Sequence, residues 1–459
     1  MLYKSELEEI LYVALKSGAD FAEIFLEEIN GTSITCEDNK TERITSGIEI
    51  GAGIRVVSGD TMGYACTTDL SLISLKKTAE KAAAGIKKSP KNIKIDLIPA
   101  VPIQVSHVTR RPNEVGIEEK VAVVHTLNKV ARSYGDKVKQ VMARYADSNQ
   151  SVTIANSNGV YVEDNRIRTR YFVNVIAAKD NILQTGLEAP GGTLGFELTE
   201  KYQPEKIARI ATERALLMLD APHAPAGKMT VVMSHEAGGT MVHEACGHAL
   251  EADFIMKGTS VFAGRVGEKV ASEFVTVVDD GTYVGNYGYY NFDDEGTPAQ
   301  KNILIENGIL KGFLSNRYTA EKLGLKPSGN GRRESFRSKP IPRMTNTFIA
   351  PGTHSPQEII ASIKNGLYVK SMGGGEVNVV NGDFVFEVSE GYLIKNGKIK
   401  HPVRGAMLTG NGPKVLQIID LVGDDLGFHT GVCGKYDHAP VSTGQPTIRI
   451  PEVVVGGRV

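Results

Sequence analysis

The segment Met241-Val242-His243-Glu244-Ala245-Cys246-Gly247-His248-Ala249-Leu250-Glu251 concentrates residues able to hold a metal and move a proton. It contains the pattern His-Glu-x-x-x-His. The zinc-peptidase signature His-Glu-x-x-His sets two imidazoles four residues apart on one helix face, with the glutamate as general base. Here the histidines are five apart. Five residues turn an ideal α-helix about 140° past a full turn, so the rings diverge. A wide π-type turn would return them to one side, and such turns cluster at functional sites. Gly247 lies inside the turn, where it weakens the helix. A metal-binding pair therefore predicts a local irregularity near Ala245–Gly247. Two plainer readings stand beside it. Each histidine can be a satisfied core residue, and Glu244 with His248 can be an ordinary i, i+4 helix-surface pair.

A catalytic zinc site needs three protein ligands and an open position for water. Among the thiols, Cys433 is the first candidate for the third ligand. It sits in Gly431-Val432-Cys433-Gly434-Lys435, read as a glycine-flanked loop, and Lys435 would favour the thiolate. Cys246 is the rival, three residues from His243, although a small free cysteine is more commonly a core residue. Cys36 and Cys66 lie in strand-like contexts and receive no chemistry. His235-Glu236, Asp279-Asp280 and Asp293-Asp294-Glu295 are weaker cation candidates, for which ordinary turn chemistry is the better account. Gly373-Gly374-Gly375 is not a phosphate loop, because no Gly-Lys-Ser/Thr follows it.

The elements that must position these residues come in two kinds. Apolar spacing near 3.6 predicts helices over 3–18, 71–88, 116–133 and 204–219, and Ser355-Pro356 opens a short one. Asn-Gly between β-rich runs is a strong hairpin signal, because both residues tolerate positive φ. It recurs at Asn30-Gly31, Asn158-Gly159, Asn307-Gly308, Asn381-Gly382 and Asn396-Gly397. Each predicts a hairpin, the last two sharing a strand in an antiparallel meander. The proline-rich stretch Asp220–Gly227 reads as a linker. The expected fold is α+β, with a mixed domain over 1–220 and a strand-rich domain over 228–459 that carries the histidine helix.

Composition closes off other classes. The chain has 459 residues, 41% hydrophobic and 23% charged, near the globular average. Its 52 Lys+Arg balance 53 Asp+Glu, with no basic face to suggest nucleic acid as a partner. Four scattered cysteines do not make a disulfide framework. No signal peptide and no run of about 18 apolar residues is present, so no membrane role is expected and a cytoplasmic location is.

The chain resembles the TldD side of the TldD/PmbA family of cytoplasmic zinc metallopeptidases. The likeness rests on HEACGHALEADF, KGTSVFAGRVGEKVA, VTVVDDGT, DDEGTPAQ, GNGRRES, PRMTNT, GGGEV, YLIKNGKIKHPVRGAMLTGNGP, GVCGK and GQPTIRI, in family order from about residue 231 onward. The first half matches more loosely, through DFAEIFLEE and GIRVVSGDTMGYA. The resemblance implies a Zn2+ site in which His243 and His248 are ligands, Glu244 is the catalytic glutamate and Cys433 is the third ligand. It thereby favours Cys433 over Cys246. His235-Glu236 matches no family motif, and the run Tyr436-Asp437-His438 after GVCGK is unusual and read as a surface loop.

That site implies peptide-bond hydrolysis of unfolded or extended peptides. Such a peptide can add to an exposed strand edge, and Gly373, Gly374 and Gly375 would let its backbone approach. Arg332 and Arg333 are candidates to bind a substrate carboxylate or the oxyanion, with a structural salt bridge as the competing role. The family also implies a dimer, either with a second copy or with a PmbA/TldE-type paralogue, and roles in maturing peptide antibiotics and degrading antitoxin-like peptides. A second reading, from another class, is a non-enzymatic partner-binding protein of the gyrase-modulator type. In that case the zinc would be structural, with Cys246 or His438 as the fourth ligand.

Overall fold

A computed structural model describes residues 2–89, 94–102, 108–378 and 380–456. It is an α+β protein in which strands outnumber helices. The four amphipathic patterns of the first half all form helices, Lys4–Leu15, Leu72–Ala83, Ile117–Arg132 and Pro204–Asp220. They cover one face of an eight-stranded sheet. Its main order is Thr61–Thr67, Lys40–Ser58, Phe21–Glu37, Val138–Asn156, Val160–Lys179 and Ile98–Ala100.

Strand alternation sends successive side chains to opposite faces. Ile24 and Ile34 join the helix-side cores with Leu11, Leu75 and Leu127. Phe25, with Ile154 and Val162, faces the other way and packs on Phe292 and Phe336 of the second half.

The expected hairpin at Asn30-Gly31 is not one. Both residues sit inside the single strand Phe21–Glu37, paired on both sides, Gly31 opposite Gly47 and Ser148. The turn falls at Asp38-Asn39, both with positive φ of 47° and 69°. A strand holding two ladders keeps its Asn-Gly extended, and Asp-Asn supplies the left-handed pair instead. The other four Asn-Gly sites do join paired antiparallel strands. Within the run before Asn381, Val379 lies outside the described residues.

The second half contains two larger sheets. In one, Asn365–Val377, Gly227–Met233, Ile448–Gly456, Met407–Asn411 and Asp383–Lys395 pair in turn, and the last pairs back onto the first, closing a five-strand ring. Lys398–Val403 hangs on the outside as the end of the expected meander. The other sheet runs Ile309–Leu310, Lys301–Glu306, Val277–Asp280, Asn346–Ile349, His438–Gln445 and Gly427–Gly434. One large core joins the two sheets and includes Val242, Ala245, Cys246, Met344 and Cys433. Among the described residues, no helix is long and apolar enough to cross a membrane.

Candidate metal centre

The histidine segment is short and irregular. Ser234 caps a 3-10 turn over His235–Ala237, and Gly238 and Gly239 then reverse the chain at φ of 78° and 67°. Thr240–Val242 is α-helical, His243–Gly247 is a single π turn, and His248–Leu250 tightens to 3-10. The wide turn that the i, i+5 spacing requires is therefore present, where the sequence places it. Gly247 has a further role. A Cβ there would lie 2.2 Å from Met344 Sδ, so the turn is packed flush against Met344.

The π turn brings the two rings to one side, with centroids 5.1 Å apart and planes at 80°. Cys433 reaches them from the edge strand Gly427–Gly434, as its penultimate residue and not on a loop. Pairing with His438–Gln445, Cys433 opposite Ala439, is what extends it. Cys433 Sγ lies 3.2 Å from His243 Nε2 and 3.3 Å from His248 Nε2. All three side chains are buried, and their ligand atoms lie within 4.8 Å of one another. In a tetrahedral zinc site the bond lengths put S and N about 3.5 Å apart, so this donor set fits such an ion.

The electrostatics match. Burial pushes the Cys433 thiol up, but hydrogen bonds from His243 and His248 outweigh it and bring the thiol down to about 5. Cys246 has burial alone, which lifts its thiol to about 12, and it donates to the Val242 carbonyl. Lys435 does not act on the thiol as the sequence suggested. Its ammonium is paired with Glu251 at 3.0 Å and Asp253 at 2.7 Å.

Glu244 is the polar group at the mouth of the cluster. Its carboxylate is 30% exposed, and Oε2 lies 3.7 Å from His248 Nε2. It opens on a cleft of about 450 Å³ lined also by Phe254, Gly375, Glu376, Val377 and Tyr436. Gly373, Gly374 and Gly375 lie on Asn365–Val377. That strand pairs with Gly227–Met233 only as far as Val369, and its register with Asp383–Lys395 shifts repeatedly between Val369 and Gly375. Beyond Val369 no further pairing with Gly227–Met233 is present among the described residues, and of the three glycines only Gly375 lines the cleft. Gly427–Gly434 is likewise an edge strand.

Arg332 and Arg333 are not at the cluster. Both are buried, Arg332 on the carbonyls of Met344 and Pro440, and Arg333 on Glu23 at 2.6 Å and the Asp294 carbonyl. They tie parts of the fold together and are not open to a substrate. His438 is exposed and paired with Glu334. Asp279 accepts four hydrogen bonds from Asn330, Thr345 and Thr347, and Asp293 accepts backbone N–H groups of Glu295, Thr297 and Gly331. On sequence grounds, Glu251 and Arg343 beside the cluster and Phe254 in the cleft carry no role, Lys435 acts on the thiol rather than on Glu251, and Tyr436 lies in a surface loop rather than in the cleft. Glu251, three residues after His248, carried the one readable signal, an i, i+3 carboxylate–imidazole pair.

Comparison with known proteins agrees with this geometry. Three family models cover most of the chain. They are the PmbA/TldA metallopeptidase domain 1 over residues 22–86, central domain over 110–219 and C-terminal domain over 226–457. The metalloprotease TldD homolog of Haemophilus influenzae is 36% identical over 95% of this chain and 93% of its own length. A metalloprotease of Methanothermobacter thermautotrophicus is 36% identical over 96% of this chain and 97% of its own. The fold matches the crystal structure of TldE from Thermococcus kodakarensis with a TM-score of 0.78, at 22% identity, covering 98% of this chain and 100% of that one. A Thermotoga maritima protein described as a modulator of a DNA gyrase matches with a TM-score of 0.82, at 23% identity, covering 99% and 100%. Those two structures speak to the fold, and the sequence relatives and family models to the activity. The chain belongs to the TldD/PmbA family of metallopeptidases.

Proposed function

We propose that the protein is a zinc-dependent peptidase that hydrolyses peptide bonds in unfolded or extended peptides. The observation that carries this is the buried His243–His248–Cys433 cluster with a partly exposed carboxylate, Glu244, beside His248 and lining an open cleft. These three residues would hold the ion, which when bound supplies a polarised scissile carbonyl and a water of pKa ~7. Glu244 takes the proton of the attacking water and delivers it to the leaving amine. Neither Cys246, which donates to the Val242 carbonyl, nor His438, which pairs with Glu334, is placed to add a fourth protein ligand, so a bound ion would keep a position for water. The part of Asn365–Val377 beyond Val369, which carries Gly373, Gly374 and Gly375 and has no pairing with Gly227–Met233 among the described residues, is suited to receive a substrate as an added strand. The fold likeness to TldE supports a working unit of two chains, either two copies or one with a PmbA/TldE-type paralogue.

The test is metal content by mass spectrometry together with cleavage of casein. Wild type is expected to hold about one zinc per chain, Cys433→Ala to lose it, and Glu244→Gln to keep it while losing cleavage. Cleavage surviving in Glu244→Gln would refute the assigned base. No zinc in freshly purified, zinc-supplemented wild type would refute the peptidase reading.

A further inference from the structure

Glu251 is fully buried, yet the hydrolysis just described makes no use of it. A neutral imidazole has one N–H and one lone pair, and only the lone-pair nitrogen can ligate a metal. His248 Nδ1 lies 3.2 Å from Glu251 Oε2, while its Nε2 faces Cys433 Sγ. A carboxylate only accepts. For His248 to ligate a metal, its proton must therefore sit on Nδ1, facing Glu251, which leaves the lone pair of Nε2 for the ion.

Glu251 is itself clamped. Lys435 Nζ lies 3.0 Å from Oε2, and Arg343 Nε lies 3.9 Å from Oε1. Both cations belong to the other side of the cluster. Lys435 is two residues from Cys433, and Arg343 also donates to the Cys433 backbone carbonyl. Glu251 thus joins the histidine segment to the Cys433 strand. His243 has no equivalent, since its Nδ1 is buried with no hydrogen-bond partner among the described residues.

We propose that Glu251 is the positioning residue of the metal centre, fixing the tautomer and ring plane of His248 and the distance between His248 and Cys433. This rests on the reading of His243, His248 and Cys433 as ligands. It also implies an unequal pair, in which the outer nitrogen of His248 is held by a hydrogen bond and that of His243 only by packing.

The test compares wild type with Glu251→Gln and Glu251→Ala by zinc competition against a chelator and by the spectrum of the cobalt(II)-substituted protein. Loss of an outer partner of a metal-bound histidine costs about 10- to 100-fold in affinity. Both variants are expected to lose that much, and their cobalt thiolate bands to shift. A residue that served only the fold would leave the bands in place in a folded variant. Lys435 keeps Asp253 at 2.7 Å in either variant, so no buried ammonium is stranded. If the alanine variant does not fold, the isosteric Glu251→Gln decides. Wild-type zinc affinity and unshifted bands in folded Glu251→Gln would overturn this proposal and leave the peptidase reading standing. Wild type that binds neither zinc nor cobalt would overturn both.

Discussion

Cys246 and Cys433 are the same side chain in two settings, and the difference decides their chemistry. Each is nearly without solvent contact. Cys246 meets only apolar groups and one carbonyl, so it stays a thiol, whereas Cys433 meets two imidazoles and becomes a thiolate. In the metal-free protein at neutral pH, alkylation followed by peptide mapping is expected to modify the exposed Cys66 first. Cys433 follows, and Cys246 stays unmodified. Zinc is expected to protect Cys433 alone, and modification of Cys246 ahead of it would contradict this account. Spacing in the chain does not separate the two cysteines. Cys246 is three residues from His243, and Cys433 is 190 residues away yet at 3.2 Å. What a sequence shows is which residue types can ligate. Which of them meet is fixed by strand pairing, here Cys433 opposite Ala439, and periodicity carries no record of it. The family motifs supplied what spacing left open.

At the scale of elements, the π turn is the feature most exposed to substitution. Gly247→Ala puts a Cβ 2.2 Å from Met344 Sδ. Overpacking of this kind costs about 1–3 kcal/mol. Thermal unfolding is expected to report that loss, and zinc content is expected to fall with it, because the same shift turns His248 away from Cys433. Shortening the facing side chain in Gly247→Ala/Met344→Ala should recover part of the zinc. The turn itself was legible, since His243 and His248 five apart have no other way to share a side. The four long helices were legible for the same kind of reason, a sustained apolar stripe. Asn30-Gly31 misled because its residues permit a turn without requiring one, and pairing on both flanks decided against it. Gly431–Lys435 read as a loop for a similar reason, since glycine marks permission and not conformation.

At the scale of the molecule, the two halves are joined by buried ion pairs. Glu23 in the first half holds Arg333 in the second, Arg166 holds Asp294, and Arg214 holds Glu390 at 2.8 Å. Removing one partner of such a pair costs about 3–5 kcal/mol, so Glu23→Gln is expected to lower the thermal midpoint by several degrees. The pairs also set an acid limit. Burial pushes the Glu390 carboxyl up, but hydrogen bonds from Arg214 and Tyr392 hold it below its ordinary 4.5. Arg166 and Arg333 likewise overcome burial to hold Asp294 below 3.8. Because these native pKa values are depressed, their stabilisation is complete above those ordinary values and is lost as the pH falls through the native ones. Unfolding followed from pH 6 to pH 3 is expected to show this loss, with a shallower slope in Glu390→Gln. None of this was legible, since an Arg-Arg pair at 332–333 reads equally as anchor or ligand until its partners are known.

The closed ring of the second half also bears on the order of events during folding. Val455 pairs with Gly227, and Gly366 with Thr230. A ring whose first strand waits for partners so far along the chain cannot assemble during early synthesis. Contacts of such long sequence separation must be bought with loop entropy before they reward it. The histidine segment follows that first strand directly, and Cys433 lies just before Ile448–Gly456. Cys433 follows His248 by 185 residues, so a nascent chain that has not reached Gly427–Gly434 carries both histidines without the third ligand candidate. The three side chains of the cluster can therefore meet only after the long stretch of chain between them has been made and Gly427–Gly434 has paired with His438–Gln445.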